Sequence, residues 1–390
     1  FKQKTAYEML RSLVGSEMCI RDSPKEVKNH EYRVGLTPAS VLELVKRGHE
    51  VLVEQDAGAA IDFTDDQYVA AGAEISSSVE DIFARAEMVV KVKEPQAHEC
   101  KMLREGQILY TYLHLAPDPE QTRLLVESGA TCVAYETVTD AQGGLPLLAP
   151  MSEVAGRMSV QAGAHHLEKA QGGRGVLLAG VPGVAPAKVL VIGGGVVGDN
   201  AASMAVGMGA DVTILDRSIP RLRQLDNEYE GRAKCVYSTD AAIEEYTLEA
   251  DLVIGAVLIP GAAAPKLLSR DLISRMKKGA VVVDVAIDQG GCFETSKATT
   301  HQTPTYIVDE VVHYCVANMP GGVARTATMA LNNATLPYAI KLADDPISAL
   351  FTDANLQNGL NVHRGSVTYK AVADALGYDY VPADEALKAY

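Results

Sequence analysis

A chain of 390 residues, 47% hydrophobic and 22% charged, has the length for two globular domains and enough apolar material for a core in each. With 35 basic against 50 acidic side chains its formal charge is −15, which repels nucleic-acid phosphates and anionic lipid, so neither is expected as a partner. No uncharged stretch approaches the ~20 apolar residues of a membrane span, and no basic region followed by an apolar block marks export. The first 22 residues, FKQKTAYEMLRSLVGSEMCIRD, begin without Met and do not read into the pattern that follows. They are read as foreign to the native protein and are set aside. From Ser23 onward, β-branched runs alternate with helix-length amphipathic segments, the signature of an α/β protein with parallel sheets flanked by helices.

Thr37 and Pro38 read as the N-cap and first residue of a helix striped by Val41, Leu44 and Val45, and Gly48 stops it ahead of a strand at 49–54. Further strands are predicted at 88–92, 107–112 and 131–135. Ser152 is expected to cap a long helix that runs towards Ala170 and leaves the first domain. The segment AKVLVIGGGVVGDNAASMAVGMGADVTILDRS, from Ala187, contains strand, glycine-rich turn, helix and second strand, so a second domain lies mid-chain. It continues through strands predicted at 251–257 and 280–287, and a helix over 325–343 crosses back. The expected division is therefore a substrate domain of 1–146 plus 325–390 and a dinucleotide-binding domain of 147–324.

Gly193, Gly195 and Gly198 form GxGxxG directly after the strand KVLVI. The first glycine permits the tight turn, the second lets a pyrophosphate approach the backbone, and the third lets helix and strand pack closely. Asp216 ends the next strand, where a carboxylate can accept hydrogen bonds from an adenosine ribose and disfavours a 2′-phosphate; Arg217 beside it blurs that preference. The alternative is a glycine-rich turn in an unliganded α/β domain.

In the first domain Lys93 ends the run MVVKVKEP and His114 ends ILYTYLH, so both reach carboxyl ends of predicted strands, the edge where open α/β sheets bind ligands. Taken singly, a solvated lysine or a satisfied histidine explains either; together they point to proton transfer and oxygen polarisation on one substrate. Arg33, in NHEYRVGLTPAS, offers a fork for a carboxylate, although on sequence alone a surface arginine is the preferred reading. Asp288 follows VVVDVAI at a predicted strand end and reads as an acid or base, or as an ordinary loop carboxylate. The six cysteines (Cys19, Cys100, Cys132, Cys235, Cys292, Cys315) lack CxxC spacing and the histidines lack HxxxH spacing, so no metal is expected and a reducing cytoplasm is the expected compartment.

The segments PKEVKNHEYRVGLTP, KVKEP, YLHLA, YETV, LPLLAPMSEVAGRMS, QGGRGVLLAGVPGV, DLVIGAVLIPGAAAPKL, DVAIDQGGCFETS and YCVANMPGGVART resemble those of the L-alanine dehydrogenase family, from about Pro24 to the C-terminus. The same superfamily includes the NAD-binding subunit of proton-translocating transhydrogenase and, more remotely, the saccharopine dehydrogenases. The resemblance implies NAD-dependent interconversion of L-alanine with pyruvate and ammonium, two Rossmann-like domains with the active site in the cleft between them, and a homohexamer. It also implies residue roles. Arg33 would bind the substrate carboxylate, Lys93 would contact substrate and handle protons, His114 would polarise the carbonyl or carbinolamine oxygen, and Asp288 would assist as acid or base. Ser152, Val197, Asp216, Ser238, Val257, Leu258, Ile287 and Asn318, with the three glycines, would line the cofactor site.

Two departures from the family stand out. CIRDS (residues 19–23) replaces a short apolar strand, and Arg21 and Asp22 are poor occupants of a buried parallel strand, which puts that strand and the adjoining PKE loop in doubt. Asp199, directly after the last glycine, would repel a pyrophosphate unless its side chain points away. A transhydrogenase-type NAD-binding subunit and a non-catalytic NAD-binding sensor are the alternatives to an enzyme.

Overall fold

The interior strands are short apolar runs buried along their whole length, such as ILYT, TCVA, LVIG and VVVD. Strands of that kind need cover on both faces, which helices of an α/β fold supply. The computed structural model describes residues 20–257 and 264–388. These form two units, one ending at Leu148 and resuming at Thr328, the other spanning Ala149–Ala327. Among the described residues no helix is long and apolar enough to cross a membrane.

The first unit contains β1 (Ile20–Ser23), β2 (Glu50–Glu54), β3 (Glu74–Ser76), β4 (Met88–Val90), β5 (Ile108–Thr111) and β6 (Thr131–Ala134). All are parallel, in the order β6-β5-β4-β1-β2-β3, and a C-terminal hairpin (Leu360–His363, Ser366–Val367) adds antiparallel to β6. The order reverses between β1 and β4, and in doubly wound sheets ligands bind in the crevice at that reversal.

The second unit repeats the plan with β7 (Lys188–Ile192), β8 (Asp211–Asp216), β9 (Ala233–Tyr237), β10 (Leu252–Gly255), β11 (Val281–Asp284), β12 (Thr305–Val308) and β13 (Val311–Tyr314). Its order is β12-β13-β11-β10-β7-β8-β9, parallel except for β12, with the reversal between β7 and β10.

Five helices position the candidate residues: α1 (Pro38–Val45), α2 (Ala149–His166), α3 (Val196–Gly207), α4 (Ile219–Tyr229) and α5 (Ala324–Asp344). As expected, Thr37 caps α1, its hydroxyl accepting from the Ser40 amide, and Val41 and Leu44 are buried. Three expectations need correction. Ile20–Ser23 forms β1, in register with both β2 and β4, so the end of the segment set aside as foreign belongs to the sheet. Backbone ladders are indifferent to side-chain type, and the gap between β2 and β4 needs a strand. Ser152 lies inside the first turn of α2 rather than capping it, because Pro150 takes an early helical position that suits its fixed φ; α2 itself ends at His166. The strand predicted over 280–287 stops at Asp284, whose side chain accepts from the Ala286 amide and turns the chain into a 3-10 helix, Val285–Gln289.

Candidate active site

In the first unit the loop leaving β1 is fastened on all sides. The Leu36 amide donates to Ser23 Oγ (3.3 Å), the Thr37 amide to Asn332 Oδ1 (2.9 Å), and the Tyr68 hydroxyl to the Leu36 carbonyl (2.8 Å). A Cβ at Gly35 would lie 2.3 Å from the Val90 carbonyl, so the loop is seated on the end of β4. This holds Arg33, which is 2% exposed and therefore not a surface arginine. Its Nε and Nη2 fork onto Glu31 Oε1 (2.7 Å) and Oε2 (2.6 Å). Burial opposes the charge, but the hydrogen bonds and charge of Glu31 outweigh it and hold the pKa above its ordinary value. Glu31 thus grips the guanidinium through Nε and Nη2 and fixes the plane of the fork.

Lys93 lies just past β4, half-buried, its amide donating to Glu26 Oε1 (3.2 Å) and its carbonyl accepting from Thr111 Oγ1 (3.0 Å). Two residues earlier stands Lys91, fully buried, with Nζ donating to Glu26 (3.3 Å) and Glu99 (2.9 Å). Burial would depress this ammonium, but the two carboxylates raise it. Sequence reading missed Lys91, Glu26 and Glu99; a charged residue within an apolar strand run was the one available sign, and spacing could not pair residues 65 apart.

His114 follows β5 at φ +49°, in the left-handed region, with its side chain 49% exposed. Its amide donates to Glu136 Oε1 (2.6 Å) and its Nδ1 lies 3.8 Å from the same oxygen. The ring lies parallel to that of Tyr112, 5.8 Å between centroids. Tyr112 is buried and its hydroxyl donates to the Leu147 carbonyl.

Asp288 is exposed in the 3-10 helix after β11, in the second unit. The buried acid of that region is Asp284, which accepts from the amides of Cys292 (2.8 Å) and Phe293 (3.3 Å) and from the Ser296 hydroxyl. Burial pushes its pKa up, against those hydrogen bonds. Asp284 organises the loop from which Asp288 projects.

The glycine-rich turn lies at the other reversal point. Gly193 has φ +103° and a Cβ there would sit 2.7 Å from the Ala256 carbonyl; at Gly198 it would sit 1.7 Å from the Gly193 carbonyl. Gly195, the N-cap of α3, differs: a Cβ there meets nothing within 4 Å. An open cradle at the positive end of a 12-residue helix fits a pyrophosphate. Asp216 Oδ2 accepts from the Gly194 amide (2.7 Å) and Oδ1 from the Ser218 amide (2.7 Å), and each oxygen keeps a second lone pair for a ribose hydroxyl. Asp199 is turned away: Arg221 Nη2 donates to it (2.7 Å), as does the Tyr229 hydroxyl (2.6 Å), while Arg221 Nε also donates to the Gly194 carbonyl (2.6 Å). Its charge is therefore spent on α4.

Around this turn the structure gathers Val197 in the first turn of α3, Ser238, whose amide donates to the Asp216 carbonyl (2.9 Å), and Val257 just after β10. Ile287 is buried beyond β11, Asn318 adopts φ +64° beyond β13, and Ser152 lies in α2. Leu258 lies outside the described residues.

Two doubly wound units, one with a dinucleotide turn at its reversal point and the other with a lysine, a histidine and a buried arginine, define a dinucleotide-binding α/β protein. Residues 23–155 match the model of the alanine dehydrogenase/PNT N-terminal domain and 159–370 that of the C-terminal domain. The chain is 64% identical over 361 residues to an alanine dehydrogenase of Halomonas elongata, covering 92% of this chain and 97% of that protein. A solved L-alanine dehydrogenase superimposes with a TM-score of 0.89 at 52% identity, covering 92% of this chain and 99% of that one. A transhydrogenase from Sinorhizobium meliloti gives 0.78 at 26% identity, covering 90% and 99%. The chain belongs to the alanine dehydrogenase/PNT family.

Proposed function

We propose that this chain is an NAD-dependent L-alanine dehydrogenase that interconverts L-alanine with pyruvate and ammonium. The observation that carries the reading is the company at the reversal point of the first unit: a buried arginine fixed by Glu31 and, past neighbouring strands, Lys93 and His114. The chemistry fits those residues. Arg33 would fix the substrate carboxylate, which orients the α-carbon. Lys93 would hold or move the proton at the nitrogen, His114 would donate to the oxygen that enters as the imine is hydrated, and Asp288 would assist as acid or base. NAD, when bound, supplies the acceptor for the α-hydrogen as hydride. The turn of Gly193, Gly195 and Gly198 would hold its pyrophosphate and Asp216 its ribose, with Ser152, Val197, Ser238, Val257, Leu258, Ile287 and Asn318 around it.

Lys93→Ala and His114→Ala test the reading. Alanine oxidation and pyruvate amination should both fall by ~10²–10⁴-fold, while NADH affinity, read by fluorescence titration, stays within a few-fold. Wild-type turnover in both variants would overturn the assignment and favour a non-catalytic NAD-binding protein. The proposal extends to a cytoplasmic homohexamer on the strength of the family, and sedimentation velocity checks the assembly.

A further inference from the structure

Past the last rungs of the β4–β5 ladder, the Lys91 amide with the Tyr110 carbonyl (3.1 Å) and the Tyr112 amide with the Val92 carbonyl (3.3 Å), four backbone amides are left without strand partners. They belong to Val92, Lys93, Leu113 and His114. Two carboxylates from the flanking strands' ends take them. Glu26, in the loop after β1, accepts from Val92 (2.7 Å) and Lys93 (3.2 Å) through one oxygen. Glu136, just after β6, accepts from Leu113 (3.2 Å) and His114 (2.6 Å). The arrangement is symmetrical about β4 and β5, since β1 flanks one and β6 the other.

We infer that Glu26 and Glu136 are positioning residues, a pair of carboxylate clamps that fix the backbone under Lys93 and His114 and so aim the two side chains. This rests on the dehydrogenase reading above. Both carboxylates are withdrawn from water, their side chains 2% and 13% exposed, so each amide bond is charge-assisted in a poorly solvated place, where such bonds are strong. The clamp on His114 grips the backbone at a residue in the less common left-handed region, φ +49°, and so fixes the turn from which the ring departs. The clamp on Lys93 is itself held: Lys91 Nζ ties Glu26 to Glu99, and Glu99 caps the next turn by accepting from the Gln96 amide (2.7 Å). Neither carboxylate needs to touch substrate for this role. Each acts through the residue it holds.

The test is a pair of double-mutant cycles, measured as turnover in both directions. Glu136→Gln and Glu26→Gln keep shape but lose charge and one accepting oxygen, and each should lower kcat by ~10- to 100-fold, the size of effect that an ångström of misplacement produces, with NADH affinity within a few-fold of wild type. In the backgrounds His114→Ala and Lys93→Ala, respectively, the same substitutions should cost less than 2-fold, because the group being aimed is gone. A merely structural role would cost the same in either background, and that result overturns the inference, as does full turnover in either single variant. Should Glu26→Gln fail to fold, Glu26→Asp keeps the charge beside Lys91, draws the accepting oxygens back by one methylene and enters the same cycle. If Lys93→Ala and His114→Ala retain turnover, it is the dehydrogenase reading that fails; if they collapse while the glutamine variants do not, the clamps alone fail.

Discussion

Gly195→Ala and Gly198→Ala should separate the two jobs of the glycine-rich turn by opposite signatures. At Gly195 the backbone is at φ −69° and ψ −166°, open to alanine, and the added methyl meets no protein atom within 4 Å. Replacing a glycine in a conformation that alanine accepts should stabilise the nucleotide-free protein by about 0.4–1 kcal/mol through the unfolded chain. The same methyl stands where a pyrophosphate would rest, and overpacking of that kind costs about 1–3 kcal/mol, or ~10- to 100-fold in NADH affinity. At Gly198 the methyl would be 1.7 Å from the Gly193 carbonyl, roughly 1.3 Å short of the 3.0 Å that real Cβ atoms keep. The start of α3 must move, so stability should fall by about 1–3 kcal/mol along with NADH affinity. Thermal unfolding without nucleotide and NADH fluorescence titration read both effects. If Gly195→Ala binds NADH like the wild type, no phosphate lies over that residue; if it is destabilised as much as Gly198→Ala, the space above Gly195 is not open.

Asp216→Asn leaves one accepting oxygen for two amides and a ribose, so NAD should weaken by ~10- to 100-fold, the worth of a hydrogen bond to a charged group, and the NAD/NADP ratio should narrow; an unchanged ratio in steady-state kinetics refutes this. His363 is buried, its Nδ1 against Thr131 Oγ1 (3.0 Å), and burial lowers its pKa from 6.5 to about 4. The unfolded chain then takes up the proton first as pH falls, so stability is intact above pH 6.5 and is lost towards pH 4, by on the order of 3 kcal/mol; His363→Gln should flatten that part of the wild-type stability curve, and an identical slope argues against it. Deleting residues 1–19 should leave folding and turnover intact, whereas deleting 1–23 removes β1 from between β2 and β4 and should abolish soluble protein; wild-type unfolding of the longer deletion would show that β1 is dispensable.

What was legible in the sequence was local. Thr37–Pro38, the GxGxxG after KVLVI, and the apolar runs each carry their structural cause within a few residues, so fold class and dinucleotide turn could be read directly. Position at a strand end was legible too, which is how Lys93 and His114 were singled out. The supports were not: Glu26 meets Lys93 across 67 residues and Glu136 meets His114 across 22, and a carboxylate gripping amides leaves no periodicity behind. Arg33 read as a surface residue, wrongly, because nothing local signals its burial: the loop that carries it is seated on β4 at Gly35, a contact between segments. Asp199 looked hostile to phosphate until Arg221 and Tyr229, on the following helix, turned it aside.

The two units share one strand order yet do different work, and the residues leaving the first strand of each explain why. After β7 come glycines, which themselves add no side chain there, and the amides at the start of α3 are left to an anion. After β1 come Pro24, Lys25 and Glu26, and the Glu26 carboxylate occupies the amides at the end of β4. A pyrophosphate would find those amides taken and a negative charge in its path. With anions excluded from the backbone there, recognition in the first unit passes to side chains, and its cations do not stand alone: Arg33 is charged and anchored by Glu31, and Lys91 locks the carboxylate that holds Lys93. On the proposed reading, one topology would serve a backbone site for a large anion in the second unit and a side-chain site for a small carboxylate in the first. The choice turns on whether glycine or glutamate follows the strand.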